Sequence, residues 1–293
     1  MTLPTRTPEI KACPRIRAAV LLAALCLPIG AAAQVPVADP PRAEAQAAPA
    51  APHAFTRGQV EVGLAGADLS GGNRNWTDVY ARGHYRLGDP TMLYWSAANE
   101  RHFGASGVTG GLTLVHDFSP AWYGLAGVSG GSAIFQNKRR FDLGLYHKWP
   151  QSRRWVTGVG LMSAASGDGV HRDFGLRASV IHYAEQGWVG EGGLLFNRSS
   201  PGSVWATRGY GAMTWGAPKQ HYLSVRLEHG REAYLPVGLV PAYPGNVSFR
   251  STELTLQWRQ WLHPSWGYVV GLQGYRNPYY RRFGISAGLF MDF

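Results

Sequence analysis

The chain has 293 residues, 16% of them charged and 45% hydrophobic, with 38 glycines, 11 tryptophans and a formal net charge of +10. Past the N-terminus no apolar run reaches the ~20 residues of a membrane helix. The wealth of Gly and Trp argues against a helical bundle, and a disordered chain would not carry this many aromatics, so the composition points to an all-β protein.

Residues 1–33 read as a secretory signal peptide. Arg6, Lys11, Arg15 and Arg17 precede the apolar run 18–30, and Ala31-Ala32-Ala33 offers an A-x-A cleavage site. Leu25 stands before Cys26 where a lipoprotein signal needs a small residue. Cys13 and Cys26 both fall in this segment, so the mature chain is expected to lack disulfides and cysteine-based sites. Residues 34–55 are rich in Ala and Pro without periodicity and read as a flexible leader. The folded unit is expected over residues 56–293.

From there one pattern recurs. Segments of ten to twelve or so residues alternate apolar and polar positions, separated by clusters of Gly, Pro, Asn, Asp and Ser, as in an antiparallel sheet. The predicted strands are 56–67, 76–87, 92–103, 107–118, 121–130, 139–149, 154–165, 172–184, 187–198, 204–215, 219–230, 249–262, 265–277 and 281–293. No proline falls inside one of them, and Pro278 falls just past a strand end; proline cannot donate to a ladder. Connections around Pro90, Pro120, Pro150, Glu185-Gln186, Pro218 and Pro264 are tight, whereas the alternate ones (68–75, 131–138, 166–171, 199–203, 231–248) are mostly longer. Short turns on one rim and longer loops on the other describe a transmembrane β-barrel. The expected fold is a single antiparallel outer-membrane barrel of about fourteen strands, with twelve or sixteen as alternatives.

Aromatic placement agrees. Trp122, Trp149, Trp155, Trp188, Trp215, Trp261 and Trp266 lie near tight turns, and Trp76, Trp205, Phe141, Phe174, Phe249 and Phe283 lie near the other rim. Interfaces favour the indole, with its apolar body and its N–H seeking water. In the last strand Phe283, Ile285, Ala287, Leu289, Met291 and Phe293 make every second residue apolar. A terminal aromatic such as Phe293, ending such a strand, is similar to the signal read by the barrel-assembly machinery.

A charge on the lipid face costs ~2–4 kcal/mol at mid-bilayer, which sets the phase of the strands. Asp78, Arg82, His84 and Arg86 are expected inward, with Arg226 and Glu228 on a later strand, then Glu253, Gln257 and Arg259. Arg177, Glu191 and Arg208 are further lumen candidates, accompanied by Tyr80, Tyr210 and Tyr275. Such residues brace the wall by pairing, or line a polar conduit for hydroxyl-rich ligands. Basic residues near the long-loop rim (Arg74, Lys138, Arg139, Arg140, Arg172, Arg281, Arg282) are expected to order loops or to meet lipopolysaccharide phosphates. Their dispersal over hairpins is not the footprint of a nucleic-acid binder.

Val60-Glu61-Val62-Gly63-Leu64, then Trp76-Thr77-Asp78-Val79-Tyr80 with Tyr85-Arg86 before a turn, resemble the opening of YaiO-family outer-membrane barrels. The glycine-rich hairpins, the Phe249–Trp261 strand and the Phe293 end are also similar. The resemblance implies an outer-membrane location and no catalytic residues. It also implies export of an exopolysaccharide, which would make the polymer or its synthesis machinery partners alongside outer-membrane lipid. No cofactor or metal is expected, because the His and Glu residues are scattered. The ten histidines show no specific spacing to a Ser and an acid, so an enzyme acting on lipid is the lesser expectation.

Overall fold

A computed structural model describes residues 57–151, 154–185, 187–233 and 248–293, together with the two-residue strands Leu22–Ala23 and Arg42–Ala43. The signal-peptide and leader expectations, and the apolar connection 234–247, otherwise lie outside the described residues. Fourteen strands form one closed antiparallel barrel. In chain order they are β1 (Gly58–Leu69), β2 (Trp76–Gly88), β3 (Thr91–His102), β4 (Ala105–Asp117), β5 (Trp122–Gly131), β6 (Asn137–Lys148) and β7 (Trp155–Ser166). They continue as β8 (Arg172–Tyr183), β9 (Trp188–Ser200), β10 (Val204–Ala217), β11 (His221–Ala233), β12 (Ser248–His263), β13 (Trp266–Arg276) and β14 (Arg281–Asp292). Each pairs with its neighbours in sequence, and β14 closes on β1 with Asp292 opposite Gln59 and Arg282 opposite Leu69. Gly58 N–H donates to the Phe293 carbonyl at 2.8 Å and Phe293 N–H returns the bond to Gly58 at 2.9 Å. Every strand edge is thereby paired, as hydrocarbon requires.

Strands of 10 to 16 residues, at ~3.3 Å each and tilted ~40°, cross a bilayer core. The outer wall is apolar: Leu64 and Phe283 are each 61% exposed, Ile285 and Leu289 each 60%. The inner wall holds the buried residues. Near the short-turn rim it carries an apolar cluster on β3–β9 that includes Tyr94, Tyr123, Leu125, Tyr146, Val156 and Ile181, with the Tyr123 and Tyr146 rings stacked at 4.6 Å.

Three inward tyrosines lie across the glycine opposite them on the neighbouring strand: Tyr80 over Gly63, Tyr146 over Gly158 and Tyr210 over Gly193. A Cβ on any of these glycines would run into the tyrosine ring. The ring covers the bare backbone and pins the register, a known device in curved sheets.

Period two overrides residue class at several positions. Trp76, Trp261 and Phe249, expected in interfacial girdles, face the lumen. Trp76 is 1% exposed, Phe249 is buried, and Trp261 Nε1 donates to Asp292 at 2.8 Å. Trp76 shares the parity of Asp78, Phe249 that of Glu253, and Trp261 that of Arg259, so orienting the charges inward orients these aromatics with them. Trp122, Trp149, Trp155, Trp215 and Trp266 do face outward near the short-turn rim, as Trp205, Phe141, Phe174 and Phe283 do at the other. The connection at Phe103-Gly104 is tight although it lies on the long-loop rim.

The closed barrel is expected to migrate faster unheated than boiled on a denaturing gel. At Gly216, φ is +142° and an added Cβ would press into the His221 carbonyl. Gly216→Ala is expected to cost ~1–3 kcal/mol and to lower the temperature at which the fast band disappears.

Candidate functional site

Alternation gathers the polar side chains inside the barrel, and pairing there makes two networks. The first climbs the wall from β8. Glu191 accepts hydrogen bonds from Arg177 at 2.6 Å and from Tyr210 at 2.6 Å. Arg226 lies over the Tyr210 ring at 4.2 Å and donates to Glu228 at 2.7 Å. Arg208 bridges Glu228 at 3.2 Å and Glu232 at 3.3 Å. Glu232 also accepts from Ser251 and from the Tyr275 hydroxyl. Arg282 lies between Tyr275 (4.9 Å) and Trp76 (4.4 Å) and pairs with Glu253 at 3.2 Å, which also accepts from Gln273. Trp76 in turn stacks on His102 at 4.2 Å, and His102 hydrogen-bonds Asp78 at 2.7 Å. The chain of contacts is unbroken from the short-turn half on β9 to the long-loop rim.

The second network sits near the short-turn rim. Glu61 accepts from Arg82, from Arg259 and from the Tyr80 hydroxyl at 3.0 Å. Arg259 also donates to Gln59, which donates to Asp292, and Asp292 pairs with Lys219. Buried ions persist only when paired this completely.

The wall opposite is different in kind. On β4–β7 the inward positions include Gly111, Thr113, Gly127, Ser129, Gly144 and Gly160, and the main charged pair there is Arg140 with Asp142, joined by two 2.7 Å hydrogen bonds. At the long-loop rim the 132–136 connection turns inward. Gln136 accepts from the Ala133 N–H at 2.8 Å and donates to Glu100 at 3.0 Å, which sets Phe135 against His102 at 4.8 Å.

The twelve lumen candidates named from the sequence are all buried or half-buried. Arg177, Glu191, Arg208, Arg226, Glu228, Glu253 and Asp78 belong to the first network, and Arg82 and Arg259 to the second. His84 packs on Tyr94 at 5.7 Å, while Arg86 and Gln257 join neither network through the contacts above. Sequence reasoning passed over Glu61, Glu232 and Asp142. Glu232 shares the parity of Arg226 and Glu228, while Glu61 and Asp142 alternate with apolar neighbours (Val60 and Val62, Phe141 and Leu143), signals that were available. Two of the rim basics need correcting: Arg140 and Arg282 are each 2% exposed and point into the lumen. Each follows an outward arginine (Arg139, Arg281), and adjacent strand residues face opposite ways. Arg74, Lys138, Arg172 and Arg281 are exposed with Arg139.

Among the described residues no group of His, Cys, Asp and Glu could hold a metal ion. His263 reaches Ser265, and His171 and His102 reach aspartates.

The YaiO membrane β-barrel domain matches residues 57–235, which spans β1 to β11. The chain belongs to the YaiO membrane β-barrel family. A search of curated proteins finds no match. Among solved structures, the TodX deltaS2S3 mutant monoaromatic hydrocarbon channel is 11% identical with a TM-score of 0.51, covering 82% of this chain and 91% of its own. The CymD monoaromatic hydrocarbon channel is 9% identical with a TM-score of 0.50, over 81% and 89%. At such identities the likeness concerns the fold alone: this YaiO-family chain is a bacterial outer-membrane β-barrel.

In the β7–β8 connection of this YaiO barrel, burial acts to raise the Asp168 carboxyl. Hydrogen bonds from His171 Nδ1 (2.5 Å) and from the His171 and Val170 N–H groups outweigh it and hold the pKa below the usual range. The resulting stabilisation is present above the ordinary aspartate value of about 3.9 and is lost as pH falls below it. Exchange protection of the Val170 and His171 amides is expected to fall in that acid range.

Glu61→Gln leaves Arg82 and Arg259 sharing one uncharged partner. Breaking a buried pair costs about 3–5 kcal/mol, and unfolding by urea from lipid vesicles is expected to show a loss of that order, partly recovered by adding Arg82→Met. A loss below ~1 kcal/mol would mean that lumen water screens the network.

Proposed function

We propose that this barrel is a conduit for neutral, hydroxyl-rich solutes, with saccharide export the direction suggested by its family resemblance. The observation that carries the reading is the unlike pair of walls: paired Arg, Glu and Tyr groups on β8–β14 face a wall of glycine, serine and threonine on β4–β7. Paired charges cancel one another at a distance and so give little preference for an ion of either sign, while their remaining donors and acceptors suit hydroxyls. The small residues opposite leave room that large ones would fill. The apolar cluster near the short-turn rim narrows one side of the path, and hydrophobic constrictions can gate by dewetting.

Planar-bilayer recordings of the purified protein are expected to show discrete conductance steps with weak ion selectivity, and dextran-loaded liposomes containing it are expected to swell in isosmotic raffinose. Tyr146→Ala removes a ring from the narrow side and is expected to raise the conductance while leaving the fast-migrating gel band in place. Silence from both proteins would replace the conduit with a purely structural barrel.

A further inference from the structure

Toward the long-loop rim, the outer faces of two strand pairs change in the same order. Between β11 and β12 the facing residues are Leu227 with Leu254, then His229 with Thr252, then Arg231 with Arg250. Between β13 and β14 they are Leu272 with Ile285, then Gly274 with Phe283, then Arg276 with Arg281. All four arginines are exposed, on the face opposite buried Glu232, Phe249, Tyr275 and Arg282. Thr252 is opposite Arg276, which puts Arg250 on the diagonal from Arg276, ~7–8 Å away between backbones. The four therefore make one cluster.

Like charges directly opposite one another destabilise a strand pair, and this patch has two such rungs side by side. Among the described residues, none of the four side chains has a hydrogen bond or an ion pair. The connections that join these strand pairs bring no carboxylate: 234–247 reads Tyr-Leu-Pro-Val-Gly-Leu-Val-Pro-Ala-Tyr-Pro-Gly-Asn-Val, and 277–280 reads Asn-Pro-Tyr-Tyr. Asp68, opposite Phe283 on β1, is exposed but makes no ion pair with Arg281. The short-turn rim is handled differently. There Lys148 pairs with Asp117, Arg154 with Glu185 and Lys219 with Asp292, and Arg57 lies over the Tyr85 ring.

We propose that Arg231, Arg250, Arg276 and Arg281 bind the phosphates of an outer-leaflet lipid of the lipopolysaccharide type. Guanidinium groups take phosphate bidentately, and an anion set between opposed arginines turns the repulsion on each rung into attraction. The apolar rungs directly below (Leu254, Leu272, Phe283, Ile285) are where the acyl chains of such a lipid lie. A free anion gains nothing from those rungs, which is why the site fits a lipid phosphate. The site is on the outer wall and is independent of what passes through the lumen.

The test uses the full chain in a neutral detergent, with native mass spectrometry and thermal melting as readouts. Probes are bisphosphorylated lipid A, dephosphorylated lipid A and inorganic phosphate. The wild type is expected to retain lipid A through detergent removal and to melt at a higher temperature with it. A variant with all four arginines changed to Gln is expected to lose retention at least tenfold. It should keep its fast-migrating gel band and, without lipid, melt no lower than the wild type, because two repulsive rungs are gone. The pair Arg276→Gln and Arg281→Gln should show part of the loss, and Arg139→Gln with Arg172→Gln should show none. Equal retention by the wild type and the four-site variant would overturn the proposal. So would equal binding of dephosphorylated lipid A, or a melting gain from inorganic phosphate as large as that from lipid A.

Discussion

A backbone immersed in hydrocarbon has no partner for its N–H and C=O groups except another strand. In this chain that requirement is met by the join between β1 and β14, where the first and last strands of the fold exchange hydrogen bonds along their length and out to Gly58 and Phe293. Without the join, the lipid-facing alternation would leave two raw edges in the membrane. With it, every strand has two neighbours, and the side chains divide cleanly into an outer and an inner set.

The division has different consequences on the two faces. Outside, apolar side chains meet lipid and little specificity is needed. Inside, arginines and carboxylates are enclosed at close quarters, and each must be compensated. The compensation is cooperative, as Arg208 serves Glu228 and Glu232 while Glu61 serves Arg82 and Arg259. The tyrosines belong to the same arrangement. Tyr80 and Tyr210 each cover a glycine on the next strand and offer a hydroxyl to a network carboxylate, so the device that sets register also completes the charges.

The two ends of the barrel differ as the two sides of an outer membrane differ. The short-turn rim has outward tryptophans and locally paired charges. The long-loop rim has an inward-turned connection, a buried Trp76–His102–Arg282 group and a set of outward arginines that have no carboxylate partner among the described residues. This asymmetry bears on both proposals, since the lumen and the outer wall each present a distinct chemistry toward the cell exterior.

Much of this was legible in the residues alone. Strand number, strand limits to within about three residues and the closed antiparallel form follow from period-two patterning, proline placement and turn lengths, because all three are local properties of the chain. The inward set followed where charge decided the phase. The reading failed where residue class was allowed to outvote parity: Trp76, Trp261 and Phe249 were given to the interfaces by type, and Arg140 and Arg282 to the rim by their basic neighbours. What no linear reading supplies is register. Which arginine meets which carboxylate, which tyrosine lies on which glycine, and that Arg231 faces Arg250 and Arg276 faces Arg281, depend on how far each strand slides against the next. That offset is settled by the closure of fourteen strands at once, so the sequence determined the wall and its two faces, and the tertiary structure determined the partners across it.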